Sequence, residues 1–159
     1  MAKSIKITIV ELGITCIAEL MEDDAPKTCA AMWKILEKPM ECRARHSIWC
    51  GRKLTLNVPK DHHLVDPSSI PAENRTVYPQ TGDILWNYWP EHAVRDFPEG
   101  VWDFMLIYGP ESIMKGPLGL EACNLWAKIS LGLAEFAQAC SQFRISGTKT
   151  IRVERFKNS

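Results

Sequence analysis

The chain has 159 residues, a length that suits one domain, and its 19 Lys and Arg residues balance 19 Asp and Glu residues. Without a net positive charge, neither nucleic acid nor an anionic membrane surface is the expected partner. No apolar run approaches the ~20 residues of a membrane span, and the N-terminal residues lack the apolar stretch of a signal peptide. We therefore expect a cytoplasmic protein.

The first predicted elements are a hairpin and a helix. Apolar and polar residues alternate over residues 4–20, which is typical of two half-buried strands. Asp23 to Pro26 indicate a helix start, because acidic residues favour the N-terminal end of the helix dipole and proline is tolerated in the first turn. The helix is predicted to end before Pro39. Its apolar face recurs at helical spacing and consists of Cys29, Met32, Trp33 and Leu36.

Two strands and a long loop follow. From residue 41 to residue 50 the apolar period returns to two, so we predict a strand in which Arg45 and His46 point to opposite faces. A second strand is predicted over residues 54–58. Residues 59–73 hold three prolines and few periodic apolar positions, so we expect a long loop of the kind that often serves function.

The second half of the chain continues as short strands with one more helix. The pattern predicts a hairpin from residues 76–78 and 84–89, strands over 102–108, 125–129 and 151–153, and a helix over 133–140. Many short strands and two helices favour a mainly β fold, a closed antiparallel barrel with two capping helices. We find no linker, so residues 1–159 are predicted to form one domain.

Two segments at opposite ends of the chain resemble cyclophilins. Gly13 to Leu20, followed by Ala25-Pro26-Lys27-Thr28, is similar to the strand and helix start that open the cyclophilin fold. Trp126 to Ile129, followed by Gly132-Leu133, is similar to the stretch before its last helix. The resemblance implies a closed cyclophilin-like β-barrel.

The centre of the chain lacks the groove motifs of cyclophilin prolyl isomerases. It resembles instead an uncharacterised group of bacterial and archaeal cyclophilin-like proteins. The resemblance rests on three pieces, namely His46-x-x-Trp49-x-Gly51, Glu73-Asn74 with Tyr78-Pro79, and Tyr108-Gly109-Pro110 with Asn124. It implies the fold and names no activity.

Three residues are the candidates for catalysis. Arg45 lies on the segment where a cyclophilin would carry its catalytic arginine, and a guanidinium near a prolyl nitrogen weakens amide resonance. His46 shares its predicted face with apolar residues, so it is either a core histidine or a pocket residue, and the resemblance singles it out. Glu73 is the best single carboxylate for general-acid or general-base work.

A further group of residues is expected to bind a ligand. Aromatic side chains could build a pocket wall, although aromatics at alternating strand positions more often belong to a core. Glycine–proline pairs rigidify a loop and allow close backbone approach. A cysteine near the place of a cyclophilin groove histidine could border the pocket, but no partner that would activate its thiol is evident. The predicted ligand-binding residues are Trp49, Tyr78, Tyr108, Gly109, Pro110, Cys123 and Asn124.

Neither a metal nor a cofactor is expected. The six cysteines are scattered without a C-x-x-C pair, so we expect reduced, buried thiols. His62 and His63 have no partner at a ligand spacing, and we predict both to be exposed to solvent.

Three functions stay open at this stage. The first is a small-molecule pocket, belonging to a ligand-binding module or to an enzyme acting on a small amide-like compound. The second is a divergent peptidyl-prolyl isomerase, whose ligand would be a short peptide. The third is a non-catalytic protein-interaction module, and the six tryptophans would suit the interface of a homo-oligomer.

Overall fold

Eight antiparallel strands close into a barrel in the computed structural model, which describes residues 3–157. In chain order the strands are β1 (Ser4–Ile9), β2 (Ile14–Leu20), β3 (Met40–His46), β4 (Lys53–Asn57), β5 (Arg75–Thr76), β6 (Asp83–Trp89), β7 (Val101–Ile107), β8 (Lys115–Gly116), β9 (Gly119–Leu120), β10 (Cys123–Leu131) and β11 (Thr150–Phe156). The helices are α1 (Pro26–Ile35), α2 (Leu133–Ser141) and the single-turn α3 (Phe143–Ser146).

The barrel runs in the order β2-β1-β11-β3-β4-β7-β6-β10 and closes because β10 also pairs with β2. The short strands β8 and β9 form a separate hairpin in the segment between β7 and β10. This arrangement confirms the predicted closed antiparallel barrel with helices.

Large apolar side chains fill the barrel interior. The register aligns Leu56 of β4 with Phe104 of β7, and Phe104 with Trp86 of β6, so these three inward side chains form one layer. The Phe104 and Trp126 rings meet edge to face with centroids 5.1 Å apart. Helix α1 buries Thr28, Cys29, Met32 and Ile35, and α2 buries Phe136, Ala139 and Cys140.

The strand predicted over residues 41–50 is too long. Strand β3 ends at His46, because the Ser47 backbone N–H bonds the Lys53 carbonyl and the Ser47 hydroxyl accepts the Cys50 N–H, which bends the chain into a loop. Gly51 has a φ of +85°, and a Cβ there would lie 2.5 Å from the Glu111 carbonyl oxygen. The loop needs glycine at this position to reach β4.

The predicted hairpin between residues 76–78 and 84–89 is wrong. Strand β5 pairs with the start of β10 (Cys123 with Thr76, Asn124 with Arg75), whereas β6 pairs with β7 and with the other side of β10. Because β2 reaches only residues 127–131 of β10, the first residues of that long strand keep a free edge, which β5 occupies.

The loop predicted over residues 59–73 is present and contains two short 3-10 turns. The prediction that both of its histidines are exposed is wrong. His62 is 3% exposed, and its Nδ1 bonds the Ile35 carbonyl oxygen at the end of α1. His63 is exposed at its edge but stacks flat on Trp102, with ring centroids 3.8 Å apart.

Candidate functional site

A pocket of about 290 Å³ lies on the outward face of the barrel wall formed by β3, β4, β7 and β6. The register builds this face. Arg45 pairs with Thr55 and Thr55 with Met105, while Asp103 lies between Asn57 and Asn87 on the neighbouring strands. Because side chains alternate along a strand, all these residues point away from the core.

Other segments cover part of this face and form the remaining sides of the pocket. Met114, from the segment after β7, packs with Met105 and Cys123 in a second apolar cluster that is separate from the barrel interior. Trp89 and Phe97 form an aromatic side of the pocket, with ring centroids 6.0 Å apart. Gly116 is required here, because a Cβ would collide with the Trp89 ring and the Glu121 carboxylate.

Asp103 is the most perturbed acid that the structure describes in this pocket. It is 8% exposed, and its Oδ1 atom is buried without a hydrogen-bond partner among residues 3–157. Burial raises the pKa of Asp103 to about 6, although the charges of Arg45 and Lys53 act in the opposite direction. A buried carboxyl of this kind inside a cavity is typical of a functional group.

Two basic residues accompany this carboxyl. Lys53 is 6% exposed, and within the described part of the chain its ammonium forms neither a hydrogen bond nor an ion pair. Arg45 donates from Nη2 to the Asn57 Oδ1 atom at 2.8 Å and keeps its other donors free of protein partners among residues 3–157. Among residues 3–157, the pocket therefore holds donors of Lys53 and Arg45 that have no protein acceptor. Beside them lies the Asp103 Oδ1 atom, which has no protein donor.

Glu121 borders the pocket from the segment between β9 and β10. Burial raises its pKa, while a hydrogen bond of 2.7 Å from the Trp89 indole to its Oε1 atom works against that rise. The Asn87 amide donates to Oε2 at 3.5 Å. Unlike Asp103, this carboxylate already has protein donors.

The structure places Arg45 and His46 on opposite faces of β3, as the alternation predicts. Arg45 lines the wall pocket. His46 lies in the inward row beside Leu54 at the end of β3, where it lines both the edge of that pocket and a second concavity of about 310 Å³ at one end of the barrel. Its Nδ1 lies 2.5 Å from the Ser47 carbonyl oxygen and its Nε2 contacts the Tyr108 hydroxyl. A carbonyl can only accept, so Nδ1 carries the proton and Nε2 accepts from Tyr108.

The surroundings of the His46 imidazole favour its neutral form. Burial lowers its pKa, with a further contribution from the Arg144 charge. Pro110 lines the same concavity, and Gly109 lies against the Arg52 side chain beside it. His46, Tyr108, Gly109 and Pro110 are thus brought together at the barrel end, and of these four only His46 also lines the wall pocket.

Glu73 and Asn124 also come together, in a polar cluster at the start of α1. The Glu73 carboxylate accepts the Thr28 N–H and hydroxyl, both at 2.8 Å, and the Lys27 N–H at 3.2 Å. Ala25 at the helix start has no capping side chain, so Glu73 supplies the cap from the loop. Burial would raise the pKa of Glu73, but these hydrogen bonds lower it below its ordinary value.

Asn124 joins the loop to this cluster. Its amide donates to the Thr28 hydroxyl at 3.0 Å and to the Pro71 carbonyl at 2.7 Å. Neither Glu73 nor Asn124 lines the wall pocket, so the geometry lends no support to catalysis by Glu73.

The remaining predicted residues divide between surface and pocket. Trp49 is 88% exposed and Tyr78 is 65% exposed, and neither lines the wall pocket. Cys123 does line it, but burial raises the pKa of its thiol to about 12. It is a thiol at neutral pH and not a ready nucleophile.

The sequence reasoning missed Lys53, Asp103 and Glu121. A signal for Asp103 was available, since it is the single charge in the strand Val101–Ile107, whose residues are apolar on both faces. A strand covered on both sides that still carries one acid points to a charge held in a buried site. Lys53 and Glu121 lie in segments without such a pattern.

Two further properties concern residues 3–157. In this part of the chain no three His, Cys, Asp or Glu side chains lie close enough to hold a metal ion together. None of the helices there has the length and apolar character needed to span a membrane.

Comparison with solved structures defines the class as a cyclophilin-like barrel. The chain is similar to McbB in complex with tryptophan (TM-score 0.66, 16% identity), of which it covers 45% while 98% of this chain is matched. It is similar to the Mimivirus cyclophilin (TM-score 0.58, 10% identity, 99% of this chain and 90% of that one). It is also similar to the hypothetical protein AF2241 from Archaeoglobus fulgidus (TM-score 0.54, 19% identity, 98% and 95%).

These identities establish the fold alone, and the chain spans less than half the length of McbB. Residues 7–155 match the family described as "Protein of unknown function (DUF3830)", and the chain belongs to this family. The predicted membership in an uncharacterised cyclophilin-like group is confirmed. No curated protein matches the chain.

Replacing Glu73 by Ala should lower the free energy of unfolding by about 1–2 kcal/mol, because the Thr28 and Lys27 N–H groups lose their acceptor. Urea unfolding measures the change, with Glu91→Ala, an exposed acid, as the control. An unchanged midpoint would contradict the capping role and return Glu73 to the candidates for catalysis.

Replacing Asp103 by Asn should stabilise the protein at pH 8. With a folded pKa of about 6 against 3.8 for the free group, wild type loses stability as pH rises from about 4 through 6, by about 3 kcal/mol at most. The advantage of Asp103→Asn over wild type should therefore grow across this window. Unfolding at pH 5 and pH 8, with the exposed Asp96→Asn as control, tests it, and a destabilised Asp103→Asn at pH 8 refutes the assignment.

Proposed function

We propose that this protein binds a small organic molecule in the wall pocket, either as a ligand-binding module or as an enzyme acting on a small amide-like compound. The observation that carries the proposal is the buried, unpartnered carboxyl of Asp103 beside Lys53 and Arg45 in a cavity of about 290 Å³. Proteins rarely keep such a group without a compensating use, because it costs stability.

The dimensions and the lining support a ligand of this size. A cavity near 300 Å³ lies at the lower end of the range for small-molecule sites. Trp89, Phe97 and Met105 provide apolar contact, and a few polar groups converge on one region, which is the usual composition of a ligand pocket. McbB, which shares the fold, was solved in complex with tryptophan, so tryptophan belongs among the first probes.

Thermal-shift screening against small amides, ureas, carboxylates and tryptophan should find compounds that raise the unfolding midpoint, because a ligand that binds only the folded state stabilises it. For a hit in the wall pocket, Arg45→Met should weaken binding by about tenfold. Arg43→Met is the matched control, since Arg43 lies on the same strand but bonds Thr148 and Glu11 outside the pocket.

The variants separate the outcomes of this screen. Hits that neither variant affects would place the ligand elsewhere, and the absence of any hit would contradict the proposal. Following the hit compound by NMR in the presence of the protein distinguishes the two branches, because only an enzyme converts it.

A divergent prolyl isomerase is the second candidate. It is favoured by the position of Arg45, which lines the pocket from the strand where the resemblance to cyclophilins expects the catalytic arginine. The protein should then accelerate isomerisation of a proline peptide, and Arg45→Ala should abolish the acceleration while Arg43→Ala preserves it. No acceleration at high protein concentration rules this candidate out.

A protein-interaction module remains the third prediction. The exposed side chains of Trp49, Ile48 and Ile145 would suit it, at 88%, 65% and 86% exposure. This prediction is favoured only if the thermal-shift screen finds no ligand and the protein does not accelerate isomerisation of a proline peptide.

A further inference from the structure

The polar groups at the base of the wall pocket form an incomplete hydrogen-bond set. Oδ1 of Asp103 can accept a bond and has no donor among residues 3–157. The Lys53 ammonium can donate three bonds, and in the same part of the chain it has no acceptor. The buried Asp103 oxygen costs free energy unless a donor reaches it, whereas the Lys53 ammonium lies at the pocket surface. A ligand that serves both groups therefore offers both a donor and an acceptor.

The charges of the pocket select among ligands that offer both. Arg45, Lys53 and Lys115 line it together with the acids Asp103 and Glu121, so a cationic amine could donate to Asp103 but would leave Lys53 without an acceptor. A carboxylate alone would satisfy Lys53 but would leave Oδ1 of Asp103 without a donor and place two anions side by side. A neutral amide edge, with an N–H next to a C=O, completes both groups without adding charge.

We propose that Asp103 and Lys53 recognise a neutral primary amide or carbamoyl group, whose N–H donates to Asp103 and whose carbonyl accepts from Lys53, and that ionisation of Asp103 controls its binding. The inference rests on the proposed function of the same pocket and adds the ligand class and the two residues that select it. Arg45 keeps donors free to reinforce the bond to the carbonyl.

The rest of the ligand is apolar and small. Trp89, Phe97, Met105 and Met114 line the space beyond the charged base. A flat aromatic ring suits this lining, because two aromatic side chains border it and stacking favours a planar partner. An aromatic amide such as benzamide therefore combines the required edge with a matching substituent.

Binding should depend on the ionisation of Asp103, because only the ionised carboxylate can accept the N–H of the ligand with either of its oxygens. The titratable and charged groups around it come from every neighbouring element. These are Arg45 and His46 on β3, Cys50 in the loop after β3, Lys53 on β4, Lys115 on β8, Glu121 after β9, and Cys123 on β10. The Cys123 thiol stays protonated, while burial raises the pKa of Glu121 and lowers that of His46. The Asp103→Asn variant therefore assigns a pH dependence near pH 6 to Asp103, whose pKa is about 6.

The test measures binding of three compounds that share a ring and a carbonyl: benzamide, N,N-dimethylbenzamide and methyl benzoate. Only benzamide has N–H donors. Its dissociation constant should be about tenfold larger at pH 5 than at pH 7.5, because a pKa of about 6 leaves about one Asp103 in ten ionised at pH 5. The ¹H–¹⁵N signal of the Trp89 indole, which lies in the pocket, reports occupancy.

Two variants sharpen the result. Asp103→Asn is neutral at every pH, like protonated Asp103, so it should bind benzamide at both pH values about as weakly as wild type does at pH 5. Asp96→Asn, exposed on the loop after β6, should keep the pH dependence. Lys53→Met should raise the dissociation constant of benzamide at least tenfold at both pH values.

The outcomes separate this inference from the proposed function. If benzamide and N,N-dimethylbenzamide bind equally, if the wild-type pH profile is flat, or if other compounds bind while no primary amide does at millimolar concentration, the inference is overturned and the pocket remains a ligand site. If no compound of either panel binds, both proposals fail.

Discussion

Pairing of β10 with β2 closes the barrel, and the rest of the structure depends on that closure. In a closed antiparallel sheet each strand must present alternate residues to the interior, so the register assigns every side chain to one of two surroundings. Phe104 fills the core, while its neighbours Asp103 and Met105 face the outer wall. The wall pocket exists because later segments cover that outer face and turn part of it into a second, partly polar interior.

The cover has an energetic consequence for Asp103. An outward-facing acid on an open barrel would be hydrated, but here the carboxyl is buried, and its charged form destabilises the folded protein. Glu73 shows the opposite case, a carboxylate whose hydrogen bonds to the start of α1 lower its pKa and stabilise the fold. Glu73 thus stabilises the folded protein through its ionised form, whereas the ionised form of Asp103 destabilises it.

Much of the fold could be predicted from local pattern, and less of the site. The hairpin over residues 4–20, both main helices and β7 were predicted because each depends on neighbours in sequence. The partner of β5 was predicted wrongly, because the free edge of β10 arises from the length of β2 and not from a turn. Among the candidate site residues, the alternation correctly separated Arg45 from His46 but could not show which surface would become a pocket.

The sequence by itself determined the class of fold, the two-faced strands and the opposite orientations of Arg45 and His46, because the period of apolar residues follows from backbone geometry alone. Tertiary structure alone decided that Glu73 caps a helix, that His46 pairs with Tyr108, and that Asp103 and Lys53 share a cavity. These outcomes join residues 45 to 62 positions apart, or residues on adjacent strands, and depend on register and on what covers the outer wall. Those quantities are set by the packing of the whole chain, and no local pattern encodes them.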